Sequence, residues 1–150
     1  MTASGTPATP RPAIVVTAAV IERDGTFLLA RRLDGTHLAG AWEFPGGKCE
    51  DGESLEHCLV RELKEELDVE ASVGEEVFRV RHAYAGRVVQ LHFFACEVAG
   101  PPRPLLGQQM RWVSRSELRG LPFPEADAAL IERLADREPA ARRQEQDLGD

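Results

Sequence analysis

The sequence predicts an α+β fold, an α/β/α sandwich in which helices cover a sheet. Three observations carry this expectation. Residues 54–67 contain neither Gly nor Pro and repeat their apolar positions at helical spacing. Runs rich in β-branched and apolar residues lie on both sides of that segment, and a second helical pattern returns near the end of the chain. At 150 residues, 43% hydrophobic and 29% charged, the chain suits one domain with a sizeable core and excludes disorder throughout.

Taken in order, residues 1–12, with Pro7, Pro10 and Pro12, read as a disordered leader. The domain is expected over 13–137. Residues 13–21 and 26–32 flank Arg23-Asp24-Gly25 and predict two strands joined by a tight turn. A loop over 33–41 leads to Trp42-Glu43-Phe44, after which Pro45-Gly46-Gly47 should stop any regular element. Ser54 stands where a helix N-cap belongs, with His57 rather than Glu three residues on, so the capping box is incomplete. Residues 70–73, 77–84 and 87–98 return to strand composition, with Ala85-Gly86 as a hairpin turn. A proline-rich loop over 100–104 and a short strand over 110–114 follow. Residues 125–137 repeat Ala128, Leu130, Ile131 and Leu134 as a helix, and 138–150 form a charged tail.

The 18 Lys and Arg against 25 Asp and Glu give a net charge of −7, which excludes a broad basic footprint for duplex nucleic acid or an anionic membrane. An anionic substrate would therefore need a metal cation or a local cluster of Lys and Arg. The apolar run over 13–21 falls short of the roughly 20 residues that span a bilayer and lacks a cleavage site, which points to a soluble protein. Cys49, Cys58 and Cys96 form no C-x-x-C pair, and their odd number and irregular spacing suggest no disulfide framework; a reducing cytoplasm is the expectation. His37, His57, His82 and His92 have no close metal spacing and read as surface or packing residues.

The helix over 54–67 decides the chemistry. At about 100° per residue, Leu59, Val60, Leu63 and Leu67 share one arc, the stripe that packs on a sheet. Glu62, Glu65 and Glu66 share a neighbouring arc. Carboxylates that close raise one another's pKa unless a cation sits among them, and hard oxygen ligands in that number fit Mg²⁺ or Mn²⁺. Gly46-Gly47-Lys48 precedes them, offering backbone that can approach a ligand closely and a cation for a phosphate. Cys58 is given no role.

Gly47, five residues, Glu53, seven residues, then Arg61-Glu62 and Glu65-Glu66 resembles the signature box of the Nudix hydrolases, which hydrolyse nucleoside diphosphates linked to another moiety. Trp42-Glu43-Phe44-Pro45-Gly46-Gly47-Lys48 is similar to the MutT-like and CTP pyrophosphohydrolase-like branch. The resemblance covers roughly 13–134 and implies a mixed sheet between helices. It implies that Gly47 (through its carbonyl), Glu62, Glu65 and Glu66 hold Mg²⁺ or Mn²⁺. Glu53 and Arg61 would pair and orient the helix, making Glu53, Arg61 and Glu62 the catalytic set, and Lys48 would touch the phosphates. Phe93 and Phe94 alternate on a strand, so one of them should face a base pocket, and Asp127 matches the segment through which MutT-like enzymes contact the base.

The implied reaction is Mg²⁺-dependent hydrolysis of a nucleoside triphosphate to monophosphate and pyrophosphate, in the cytoplasm, on 8-oxo-dGTP or cytidine nucleotides. ADP-ribose or nucleotide-sugar hydrolysis is the second enzyme reading, and a nucleotide-sensing module without turnover is the reading from another class. Two positions depart from the family pattern. Asp68 stands where Gly is expected after the helix, in a conformation Asp tolerates. The loop before Trp112, over 106–111, carries no acid, which leaves proton removal from water to Glu62 or Glu53.

Overall fold

A computed structural model of the chain describes residues 13–35, 38–84 and 86–136, the side chain of Tyr84 excepted. The expected leader, the tail over 138–150 and His37 lie outside the described residues. Strands β1 (Ile14–Arg23), β2 (Thr26–Arg31), β3 (Trp42–Glu43) and β4 (Gly46–Lys48) precede helix α1 (Leu55–Leu67). After it come β5 (Glu70–Tyr84), β6 (Arg87–Ala99) and β7 (Met110–Ser114), two 3₁₀ turns (Arg115–Gly120 and Glu125–Asp127), and α2 (Ala128–Asp136).

Among the described residues the strands form one mixed sheet in the order β3-β2-β1-β6-β5, with β4 added to β1 and β7 to β2. β1 and β6 are parallel, Ile14 opposite Val89 through Ile21 opposite Cys96, and the other pairs are antiparallel. Each face of the sheet has its own core. Ala19, Ile21, Leu28 and Cys96 meet Leu59, Leu63 and Leu67 of α1 on one face. Phe27, Leu29, Phe44, Phe93 and Val113 meet Leu118, Leu130, Ile131 and Leu134 on the other. The expected α/β/α sandwich is the observed one.

Four local expectations change. The segment Gly46–Lys48 is a strand, not a stop, because Gly46 can lie directly on β1: a Cβ there would come 2.0 Å from the Thr17 carbonyl oxygen. The two short strands expected over 70–84 are one strand, bent by register shifts on either side of Glu76 rather than interrupted. The late helix begins as a 3₁₀ turn, so α2 proper starts at Ala128. On α1 it is Cys58, not Val60, that is fully buried with Leu59, Leu63 and Leu67. Ser54 caps α1 as expected, accepting from the His57 N–H, and Asp68 ends it in the left-handed conformation at φ 57°.

The cysteine expectation is also corrected. Cys49 and Cys58 are joined in a disulfide with their Cα atoms 5.2 Å apart, and Cys96 is free and buried. Spacing hid the pair because β4 delivers Cys49 to the first turns of α1, a folding event no short cysteine motif encodes. The cysteine count therefore no longer argues for a reducing compartment. No described helix is long and apolar enough to cross a membrane. Closing so short a loop restricts the unfolded chain, and we expect Cys49→Ser, or reduction of the wild type, to lower stability by about 2–3 kcal/mol. Urea unfolding with and without dithiothreitol measures this; a wild-type midpoint indifferent to reductant would mean the bond contributes nothing.

Candidate active site

A cleft of about 510 Å³ opens between β1, β4, α1 and the 3₁₀ turn before α2. Its acidic end holds Glu62 and Glu66 of α1 beside Gly46, Gly47 and Lys48 of β4. Phe44, Phe93, Leu91, Val89, Arg32, Glu43 and Asp127 line the cleft too. Helical spacing explains the acidic end, since Glu62 and Glu66 are one turn apart and present both carboxyls to the same side. Gly47 permits the approach: a Cβ there would lie 2.2 Å from Glu62 Oε1.

Arg61 organises what lies behind the cleft. Its Nε and Nη2 donate to the two carboxylate oxygens of Glu53 at 2.6 and 2.9 Å, a bidentate fork. Nη2 also donates to the Lys48 carbonyl at 3.1 Å, and Nη1 to Glu62 Oε2 at 3.0 Å and Glu65 Oε1 at 3.3 Å. One guanidinium thus ties the box loop, β4 and α1 together. The Arg61 bonds, with the Glu50 N–H, hold the Glu53 carboxyl down at about 2.

The structure brings Gly47, Lys48, Glu62, Glu66, Phe93 and Asp127 to one cleft. Glu53 and Arg61 stand behind it, and Glu65 is turned outward, its side chain 58% exposed. Among the described residues no three His, Cys, Asp or Glu side chains are gathered as they stand around one point that could hold an ion. Sequence reasoning missed Arg32 and Glu43, whose ion pair at 2.7 Å forms one wall. The available signal was Glu43 itself, a charge set between two aromatic residues on a strand.

Electrostatics mark the acidic end as a place for a cation. Burial, then the neighbouring Glu62 and the hydrogen bond to it, push the Glu66 carboxyl up to about 8. Two adjacent carboxyls, with the Gly47 backbone against one of them, form a hard-oxygen donor set that a divalent cation fits. Mg²⁺ needs only one or two carboxylates, since it keeps several waters or takes substrate phosphates. Asp127, 4% exposed, is raised to about 7 by burial and by Glu43, with Arg32 opposing.

A family profile described as NUDIX domain matches residues 16–133, and the chain belongs to the Nudix family. The CTP pyrophosphohydrolase of Escherichia coli K12 is 43% identical over 120 residues, covering 79% of this chain and 89% of that protein. An 8-oxo-dGTP diphosphatase of Haemophilus influenzae is 37% identical over 123 residues, 81% of this chain and 90% of that one. The solution structure of the E. coli ORF135 protein superposes with a TM-score of 0.78 at 40% identity, covering 90% and 99% of the two chains. Nudix hydrolases act with a divalent metal.

The raised Glu66 carboxyl has a pH signature in the metal-free protein. The unfolded chain releases that proton near the ordinary value of 4.5 and the folded chain only near 8, so stability falls as pH rises between them. Glu66→Gln removes the burden. We expect the variant to match the wild type at pH 4 and to exceed it by about 1–2 kcal/mol at pH 9 in chelator, after discount for solvent screening. Urea unfolding at both pH values checks this, and equal differences at the two would contradict it.

Proposed function

We propose that the protein hydrolyses a nucleoside triphosphate to the monophosphate and pyrophosphate with Mg²⁺ or Mn²⁺. The observation that carries the reading is the cleft itself, which gathers half-buried paired carboxyls, Lys48, an aromatic wall and the buried acid Asp127. The two named relatives, which act on CTP and 8-oxo-dGTP, support the same substrate class. We place the activity in the cytoplasm, where these nucleotides are used and where the Cys49–Cys58 pair would meet reductants.

In this reading Glu62, Glu66 and the Gly47 carbonyl hold the metal, with Glu65 joining if Arg61 releases it. An ion held there would supply polarisation of phosphate oxygens and acidification of water. Lys48 binds the phosphate chain. Glu62 accepts the proton of the attacking water; as the new P–O bond forms, the bond to the departing phosphate oxygen breaks. Glu53 is unsuited to accept a proton near neutrality, since its pKa is about 2 and both its oxygens are engaged by Arg61. Its work, with Arg61, is to position Glu62 and β4.

Phe44 and Phe93, edge to face at 5.9 Å, give the base an apolar wall, and Asp127 reads its edge. An acid raised to about 7 does not only accept hydrogen bonds, as a fully ionised carboxylate would. Protonated, it donates to a ring nitrogen and accepts from an adjacent amine, the pattern of cytosine. Ionised, it accepts two N–H groups, the pattern of guanine and 8-oxoguanine.

Pyrophosphate release from a panel of nucleotides, with and without Mg²⁺, tests the reaction; turnover that persists in chelator, or none on any triphosphate, would sink it. Glu66→Gln should lower kcat on the order of 10²-fold with the fold intact. The ratio of kcat/KM for dCTP to that for 8-oxo-dGTP should fall several-fold from pH 6 to pH 8.5, on the order of 1 kcal/mol, and Asp127→Asn should flatten the dependence. A ratio independent of pH in the wild type removes Asp127 from base recognition.

A further inference from the structure

The loop before β7 lacks the acid that the family resemblance led one to expect, yet it holds one of the few buried polar side chains among the described residues. Gln108 is 8% exposed. Its Oε1 accepts the Leu106 N–H at 2.9 Å and its Nε2 donates to the Glu66 carbonyl oxygen at 3.3 Å. The partners fix the orientation of the amide, since a flip would set donor against donor and acceptor against acceptor.

Glu66 stands in the last turn of α1, two residues before the Asp68 cap. The carbonyls of a last turn have no partner within their own helix, and such turns fray. A side chain that must sit still in the cleft is therefore mounted at the weakest part of its helix. The loop compensates from outside: Leu105 N–H also donates to the Glu66 carbonyl at 3.0 Å, and Arg103 N–H to the Leu67 carbonyl at 2.8 Å. Gln108 adds the side-chain donor and, through Leu106, fixes the loop that carries the backbone donors. The loop's other end is held separately, Gln109 accepting from Arg31 through its own carbonyl and through Oε1.

We infer that Gln108 is a positioning residue that pins the last turn of α1 and so holds the Glu66 carboxyl in place for the metal. The inference rests on the reading of Glu66 as a metal ligand. It also accounts for an amide where an acid was looked for. A carboxylate could accept from Leu106 but not donate to Glu66, and its charge would lie at the negative end of the α1 dipole.

Gln108→Glu, nearly isosteric, keeps the acceptor and removes the donor, and Gln109→Ala serves as a control in the same loop away from α1. Mn²⁺ binding without nucleotide, followed by the electron paramagnetic resonance signal of the free ion, gives a readout independent of turnover. We expect Gln108→Glu to weaken Mn²⁺ binding about tenfold or more, as loss of a group supporting a ligand does. It should also lower kcat and raise the Mg²⁺ needed for half-maximal rate, with nucleotide KM at saturating metal unchanged. Amide hydrogen exchange in the last turn of α1 should quicken. Wild-type Mn²⁺ affinity in Gln108→Glu, or an equal loss in Gln109→Ala, would overturn the inference. Quickened exchange in Gln108→Glu together with a wild-type protein that binds no Mn²⁺ would overturn it by a different route, through the reading of Glu66 as a ligand.

Discussion

The bidentate pair between Arg61 and Glu53 is the interaction on which the rest of the site depends. Glu53 lies before α1 and Arg61 on it, so their bond fixes how the helix leaves its loop. The same guanidinium reaches the Lys48 carbonyl and Glu62, and thereby sets the distance between β4 and the acidic face. A lysine could hold one of these partners at a time; the planar fork of arginine holds several at fixed angles. The disulfide between Cys49 and Cys58 ties the same two elements at a second point, and Gly47 is the residue small enough to let them close.

The cleft is expensive to fold. Glu43, Glu66 and Asp127 are all raised, in each case first by burial, and Glu66 and Asp127 further by a neighbouring acid. Arg32 offsets part of this at Glu43, and two separate hydrophobic cores, one on each face of the sheet, carry the remainder. Substitutions that relieve the crowding would stabilise the empty protein while removing what it uses, the ordinary conflict between a stable site and a working one.

Much of this was legible in the sequence, for physical reasons. The arc of Leu59, Val60, Leu63 and Leu67 marked the buried face of α1, with Val60 only half-buried, and the neighbouring arc of Glu62, Glu65 and Glu66 marked the acidic face, from which Glu65 turns outward. Asp68 could be read as a left-handed cap because the family resemblance puts Gly there and Asp tolerates that conformation better than most residues. Features that depend on distant chain segments were not legible. The Cys49–Cys58 bond, the Arg32–Glu43 wall and the grip of Gln108 on Glu66 each join residues whose proximity follows from sheet topology. The strand at Gly46–Lys48 was hidden for another reason: glycines that look like a break are here the condition for close pairing with β1.

The parallel pairing of β1 with β6 has a consequence for how the protein comes into being. Ile14 lies opposite Val89, so one wall of the cleft joins the start of the domain to a strand made after α1 and β5. Contacts of such separation slow folding, because a long loop must be closed before they return any stabilisation. On the ribosome, β1 can form its hairpin with β2 early, but its other edge must wait until β6 has emerged. Until then a flat apolar edge containing Val16, Ala18 and Val20 stands open, the kind of surface that pairs with other chains. That wall of the nucleotide cleft thus closes only once α1, β5 and β6 have all been made, and it needs protection until then.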